Sequence, residues 1–188
     1  MGYELMVQSG AGVRAGYADD EYSSAGAVVV TSVSEGYDFC DIVLRINKPA
    51  DIKEIRENTL HVSCFDIFNE KAIVEEYAKA GINLVSLEMI PRSTIAQKMD
   101  IQSSQMSLAG YYAVILAASR LPKIFPMMMT PSGTISPAKV FVIGVGVAGL
   151  QIIATAKRLG ARVEAFDTRP DTEEQVKSLG AIIITNTR

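Results

Sequence analysis

Short apolar runs alternate with stretches of helical period along the whole chain, the pattern of an α/β protein built on mostly parallel sheets. The runs predict strands at Glu4–Gln8, Val28–Thr31, Asp41–Ile46, Leu60–Phe65 and Asn83–Leu87. Between them, Ser9–Gly12 is a turn and the acid-led stretch 19–27 a short helix. Asn69 caps a helix over Glu70–Ala80 that stops at Gly81. Pro91–Ser104 breaks the pattern, being polar and without a clean period. It lies between a strand and a helix, where α/β folds place function. Ser107–Leu121 predicts a strongly apolar helix, buried on most sides.

Pro122, Pro126, Pro131 and Pro137 then punctuate a stretch that predicts a linker. Beyond it the pattern is strand Lys139–Ile143, helix Val147–Leu159, strand Arg162–Phe166, helix Asp171–Leu179 and strand Ala181–Thr185. That is half of a doubly wound nucleotide fold. The expected architecture is α/β, with two Rossmann-like lobes. Residues 1–137 form one, with the long connecting helix, and residues 138–188 form an incomplete second. Met127–Met129 reads as junction core or as an adaptable contact surface.

Composition changes this picture little. Hydrophobic residues make up 48% and charged residues 21%, which a packed domain needs and a disordered chain lacks. The net charge is −3 and the basic residues are scattered, so no nucleic-acid partner is expected. The two cysteines, Cys40 and Cys64, make no C-x-x-C pair, which argues against a zinc site or a disulfide scaffold and fits a reducing compartment. No secretory leader is expected from the N-terminal pattern. The uncharged run between Lys139 and Lys157 is glycine-interrupted, and it reads as strand, turn and helix rather than a membrane span.

That run carries the candidate chemistry. Gly144, Gly146 and Gly149 stand in G-x-G-x-x-G spacing after a predicted strand and before an amphipathic helix. The first glycine allows the tight turn and the second lets a pyrophosphate approach. The third lets helix and strand pack closely. Val147 and Ala148 open the helix, whose N–H groups and partial positive charge suit phosphate. The next predicted strand ends in Asp167, 18 residues beyond Gly149. A carboxylate there accepts from the ribose hydroxyls and repels a 2′-phosphate, favouring NAD over NADP. Thr168 and Arg169 follow on the same turn, Arg169 as a phosphate partner or a solvated turn residue.

The segments PRSTIAQKMDIQSSQMSLAGYYAV and SGTISPAKVFVIGVGVAGLQIIATAKRLGARVEAFDTRP resemble the NAD(H)-binding component of proton-translocating NAD(P) transhydrogenase, in the alanine dehydrogenase/transhydrogenase family. QSGAG with Ala25–Ala27 matches that family's early region. The resemblance implies a chain that binds NADH and passes hydride to NADP⁺ on a separate domain. It implies partners too: a membrane-embedded domain, an NADP-binding domain and a second copy in a homodimer. The expected location is peripheral to a membrane, on the bacterial cytoplasmic or mitochondrial matrix side. It also maps the nicotinamide surroundings onto Arg92, Gln97, Asp100 and Ser103. A guanidinium and an amide can hydrogen-bond a carboxamide, and Asp100 and Ser103 can fix them. Taken without the resemblance, Asp100 reads equally as a helix cap and the other three as loop residues.

Relative to that family, a strand ahead of this sequence and the rest of the nucleotide domain beyond Arg188 are missing, so the chain is expected to be a piece of a longer protein with an open strand edge. Two alternatives remain. An alanine dehydrogenase would need a proton donor, but His61 lies three residues from that family's catalytic histidine position and reads as a partly buried structural imidazole. A non-catalytic assembly module is the other.

Overall fold

The computed structural model describes residues 2–49, 51–91 and 93–184. By packing, the chain divides into Met1–Ala96 and Gln97–Arg188. The long helix therefore groups with the nucleotide half, whereas the prolines predict it in the first lobe. Each unit has its own hydrophobic core.

In the first unit, β1 (Met6–Gln8), α1 (Asp19–Ser24) and β2 (Val28–Val30) form a small parallel unit. Asp19 opens α1 and pins the preceding turn, accepting from Ser9 Oγ at 2.6 Å and Gly10 N at 2.8 Å. Next come α2 (Val33–Phe39), β3 (Ile42–Asn47), β4 (Leu60–Cys64), α3 (Lys71–Lys79) and β5 (Asn83–Ser86). The strands β3, β4 and β5 lie side by side and parallel. Tyr37 of α2, Val43, Phe65, and Ile73 and Tyr77 of α3 build the core on them. Asn69 does not cap α3. Its amide donates to Asp66 Oδ1 at 2.8 Å, while Glu70 takes the cap position. Asp66 turns the chain with φ +54° and draws Asn69 back to it.

His61 is 0% exposed, so the imidazole is fully rather than partly buried. It packs edge-on to Phe65, and its Nδ1 lies 2.8 Å from Tyr77 Oη. Burial, aided by the Arg45 charge, lowers its pKa to about 4. The ring is therefore neutral at physiological pH.

The second unit begins with α4 (Ile101–Arg120), followed by a β6 (Met128–Thr130) and β7 (Gly133–Ile135) hairpin. The linker stretch thus holds paired strands, joined by a turn at Pro131. Then come β8 (Lys139–Ile143), α5 (Val147–Arg158), β9 (Arg162–Phe166), α6 (Thr172–Ser178) and β10 (Ile182–Ile183). The sheet order is β10-β9-β8, all parallel. Among the described residues β8 pairs with β9 alone, which leaves its other edge open. Val114 of α4, Phe125, Val142, Ile153, Ala165 and Val176 are central in the core.

Helix α4 starts six residues before the apolar stretch because Asp100 caps it. Only Gly110 and Val114 along it are buried. Met106, Leu108, Tyr111 and Tyr112 are exposed in this chain, so the expectation of burial on most sides is corrected. The helix is apolar nearly all round, and a single packed face satisfies only part of it.

Candidate functional site

Strand β8 ends at Ile143 and α5 starts at Val147, so the chain must turn within three residues. Gly144 makes the turn with φ +90°, a conformation that side chains resist. Gly149, in the first turn of α5, faces back onto the strand end. A Cβ there would sit 2.0 Å from Gly144 O, so helix and strand can be this close only over a glycine. Gly146 is different: a Cβ on it would meet nothing within 4 Å. Its lack of a side chain leaves open the space in front of the helix. Gly146 caps α5 with no side-chain bond. The first-turn N–H groups, at Val147 and Ala148, have no partner within the helix, and they carry its partial positive charge.

Strand β9 delivers Asp167 to this loop. Asp167 Oδ2 accepts from Val145 N at 2.6 Å and from Arg169 Nη2 at 3.1 Å. Its Oδ1 accepts from Arg169 N at 2.9 Å and Arg169 Nε at 3.1 Å. Arg169 Nη2 also donates to Val145 O at 3.1 Å. The Arg169 side chain, then the N–H groups of Arg169 and Val145, hold the Asp167 carboxyl far below the usual carboxylate range. The guanidinium's own pKa rises in return. The Asp167 side chain is 7% exposed, although it sits at the surface of the unit under only a loop and a guanidinium. Beside it lies a cavity of about 340 Å³ whose lining includes Phe166, Asp167, Thr168, Arg169 and Ile183. Thr168 is exposed at its mouth.

A second group sits at the start of α4. Asp100 Oδ1 accepts from Ser103 N at 2.9 Å, and its Oδ2 accepts from Ser103 Oγ at 2.6 Å. Gln97 is exposed on the preceding 3₁₀ turn, its carbonyl accepting from Asp100 N at 3.4 Å. The structure thus brings Gln97, Asp100 and Ser103 together. Arg92 lies outside the described residues. Helix α4 packs on α5, and the contact is close enough to need Gly110. A Cβ there would lie 2.5 Å from Ala148 O and 3.0 Å from Gln151 Cβ. Gly110 thus positions the first turn of α5. Sequence reasoning missed it, although a glycine inside an apolar helix is a packing signal.

Two family models match, one over each part of the chain. Residues 1–109 match "Alanine dehydrogenase/PNT, N-terminal domain" and residues 113–188 match "Alanine dehydrogenase/PNT, C-terminal domain". The chain belongs to the alanine dehydrogenase/PNT family. Within this family it is 44% identical, over 192 residues, to the first segment of the divided NAD(P) transhydrogenase subunit alpha of Rhodospirillum rubrum, covering 98% of this chain and 50% of that protein. The crystal structure of transhydrogenase from Sinorhizobium meliloti matches with a TM-score of 0.92 at 44% identity, covering 98% of this chain and 55% of that one. Alanine dehydrogenase of Mycolicibacterium smegmatis is only 22% identical over 180 residues, covering 93% of this chain and 48% of that protein. Transhydrogenase alpha subunits are thus the near relatives in the alanine dehydrogenase/PNT family, and alanine dehydrogenases the distant ones. The chain spans between about a third and half of the length of the curated relatives it matches.

Proposed function

We propose that this chain is the NAD(H)-binding part of an NAD(P) transhydrogenase, working with a partner domain that holds NADP(H). The observation that carries the reading is Asp167, anchored by two backbone N–H groups beside an open helix start. The residues present fit a dinucleotide. Gly146, Val147 and Ala148 offer N–H groups to a pyrophosphate, while Gly144 and Gly149 shape the turn. Asp167 accepts from ribose hydroxyls and repels a 2′-phosphate, which selects NAD(H). Thr168 and Arg169 border the adenosine side.

Gln97 offers an amide to the nicotinamide carboxamide, and the resemblance assigns Arg92 the same task. Ser103 donates its one hydroxyl hydrogen to Asp100, which leaves its lone pairs to accept from an amide. The bound nicotinamide supplies hydride donor and acceptor chemistry. The chain then needs to orient it and exclude water, with no proton donor. His61, buried in the first core and neutral, is in keeping with this.

No helix of the described residues is long and apolar enough to cross a membrane. On the transhydrogenase reading, proton translocation falls to a membrane-embedded part, on whose surface the residues described here sit. We assign homodimer contact to the exposed apolar side chains of α4 and the β6–β7 hairpin, Met129 among them at 80% exposed. The test is replacement of Asp167 and Arg92 by Ala. Asp167→Ala weakens NADH binding, read by titration. Arg92→Ala spares binding more but slows hydride transfer in the complete enzyme. Equal, negligible effects of both would remove the site.

A further inference from the structure

A carboxylate has about four acceptor positions, and all four of Asp167 are filled within the chain. Val145 N and Arg169 N hold two of them, and both are backbone groups fixed by the loop. The other two go to the Arg169 guanidinium, through Nε and Nη2 at 3.1 Å each. An adenosine ribose brings two vicinal hydroxyls to the same carboxylate. On the proposed NAD(H) reading, on which this inference rests, the hydroxyls and the guanidinium compete for the same lone pairs.

We infer that Arg169 is a self-occupying latch on the ribose site, its two guanidinium bonds being exchanged for two ribose hydroxyl bonds when the nucleotide enters. The backbone bonds keep Asp167 in place through the exchange. Arg169 Nη2 also grips Val145 O, so release frees the glycine-rich loop from one tether. Arg169 is 54% exposed on its side chain, which gives the guanidinium room to leave. The latch makes Arg169 a positioning residue for the empty site and a competitor of ligand.

The probe is adenosine, which has the two hydroxyls and no phosphate, so attraction of the guanidinium for phosphate does not enter. Native chain and Arg169→Met are titrated with adenosine, 2′-deoxyadenosine and NADH by NMR and calorimetry. In the native chain the Arg169 Nε–H resonance, identified by its loss in the variant, should move on adding adenosine or NADH. Arg169→Met should bind adenosine roughly two- to fivefold more tightly, the scale of an exposed ion pair removed from competition. The gain should shrink for 2′-deoxyadenosine, which lacks one hydroxyl. Equal or weaker adenosine binding by the folded variant overturns the latch, as does an Nε–H resonance that stays put in native chain saturated with NADH. Should neither chain bind adenosine or NADH, the NAD(H) reading itself fails, and the latch with it.

Discussion

Asp167 and His61 are both held by neighbouring residues, Asp167 by the Arg169 side chain and two backbone N–H groups and His61 by Tyr77 and Phe65. Asp167 is legible because a carboxylate at the end of the second strand has a place fixed by strand geometry. What the sequence does not show is that Arg169, two residues on, folds back on it. That depends on a side-chain rotamer and on Val145 O, which no spacing encodes. On the proposed function, replacing Asp167 by Ala removes the acceptor of two ribose hydroxyls. Losing even one hydrogen bond to a charged group lowers affinity roughly tenfold or more, and NADH affinity should fall on that scale, measured by fluorescence titration. His61 is legible as a strand residue facing inward but not as fully buried, since that takes Phe65 and Tyr77 from elsewhere in the chain. Its folded pKa of about 4 lies below the ordinary 6.5. Between these values the unfolded chain binds more protons than the folded one, so stability rises with pH there. Stability is therefore full above pH 6.5 and falls as the pH drops toward 4, by at most about 3 kcal/mol. Chemical denaturation of His61→Gln and native chain across that range should show a steeper slope in the native protein, the carboxyls held below their ordinary range contributing equally to both.

Elements with a strong period are legible and those set by local competition are not. The strands β8 and β9 match their apolar runs, and α5 begins where the glycine pattern places it. Helix α2 escapes the pattern, because Gly36 interrupts it and Tyr37 is its one buried residue. The β6–β7 hairpin reads as linker because its apolar content is methionine between prolines. Periodicity misplaces the start of α4 because the Asp100 cap, not hydrophobic spacing, sets it. Gly149→Ala puts a Cβ against Gly144 O, and Gly110→Val forces α4 from α5. Each should lower stability by about 2–3 kcal/mol, read from urea denaturation. Gly146→Ala should cost little stability, since nothing lies within 4 Å of its Cβ, yet should weaken NADH binding.

For the whole molecule, the α/β class is legible from the alternation of runs and helices. The division of the chain is not, because the side on which a long helix packs is decided by contacts such as Gly110 with Ala148. The exposed apolar side chains of α4 and the hairpin are the surface we propose for contact between two copies of this chain. Met129→Glu should leave the fold intact and shift a dimer toward monomer in sedimentation velocity, whereas an unchanged sedimentation coefficient would exclude Met129 from the contact. If the glycine turn and Asp167 form a site selective for NAD(H), titration of this chain with NADH and with NADPH separates the two nucleotides. Saturable NADH binding with NADPH at least about tenfold weaker, the scale of one charge-assisted hydrogen bond, is the predicted result. Equal binding of the two, or binding of neither by a folded chain, would contradict it.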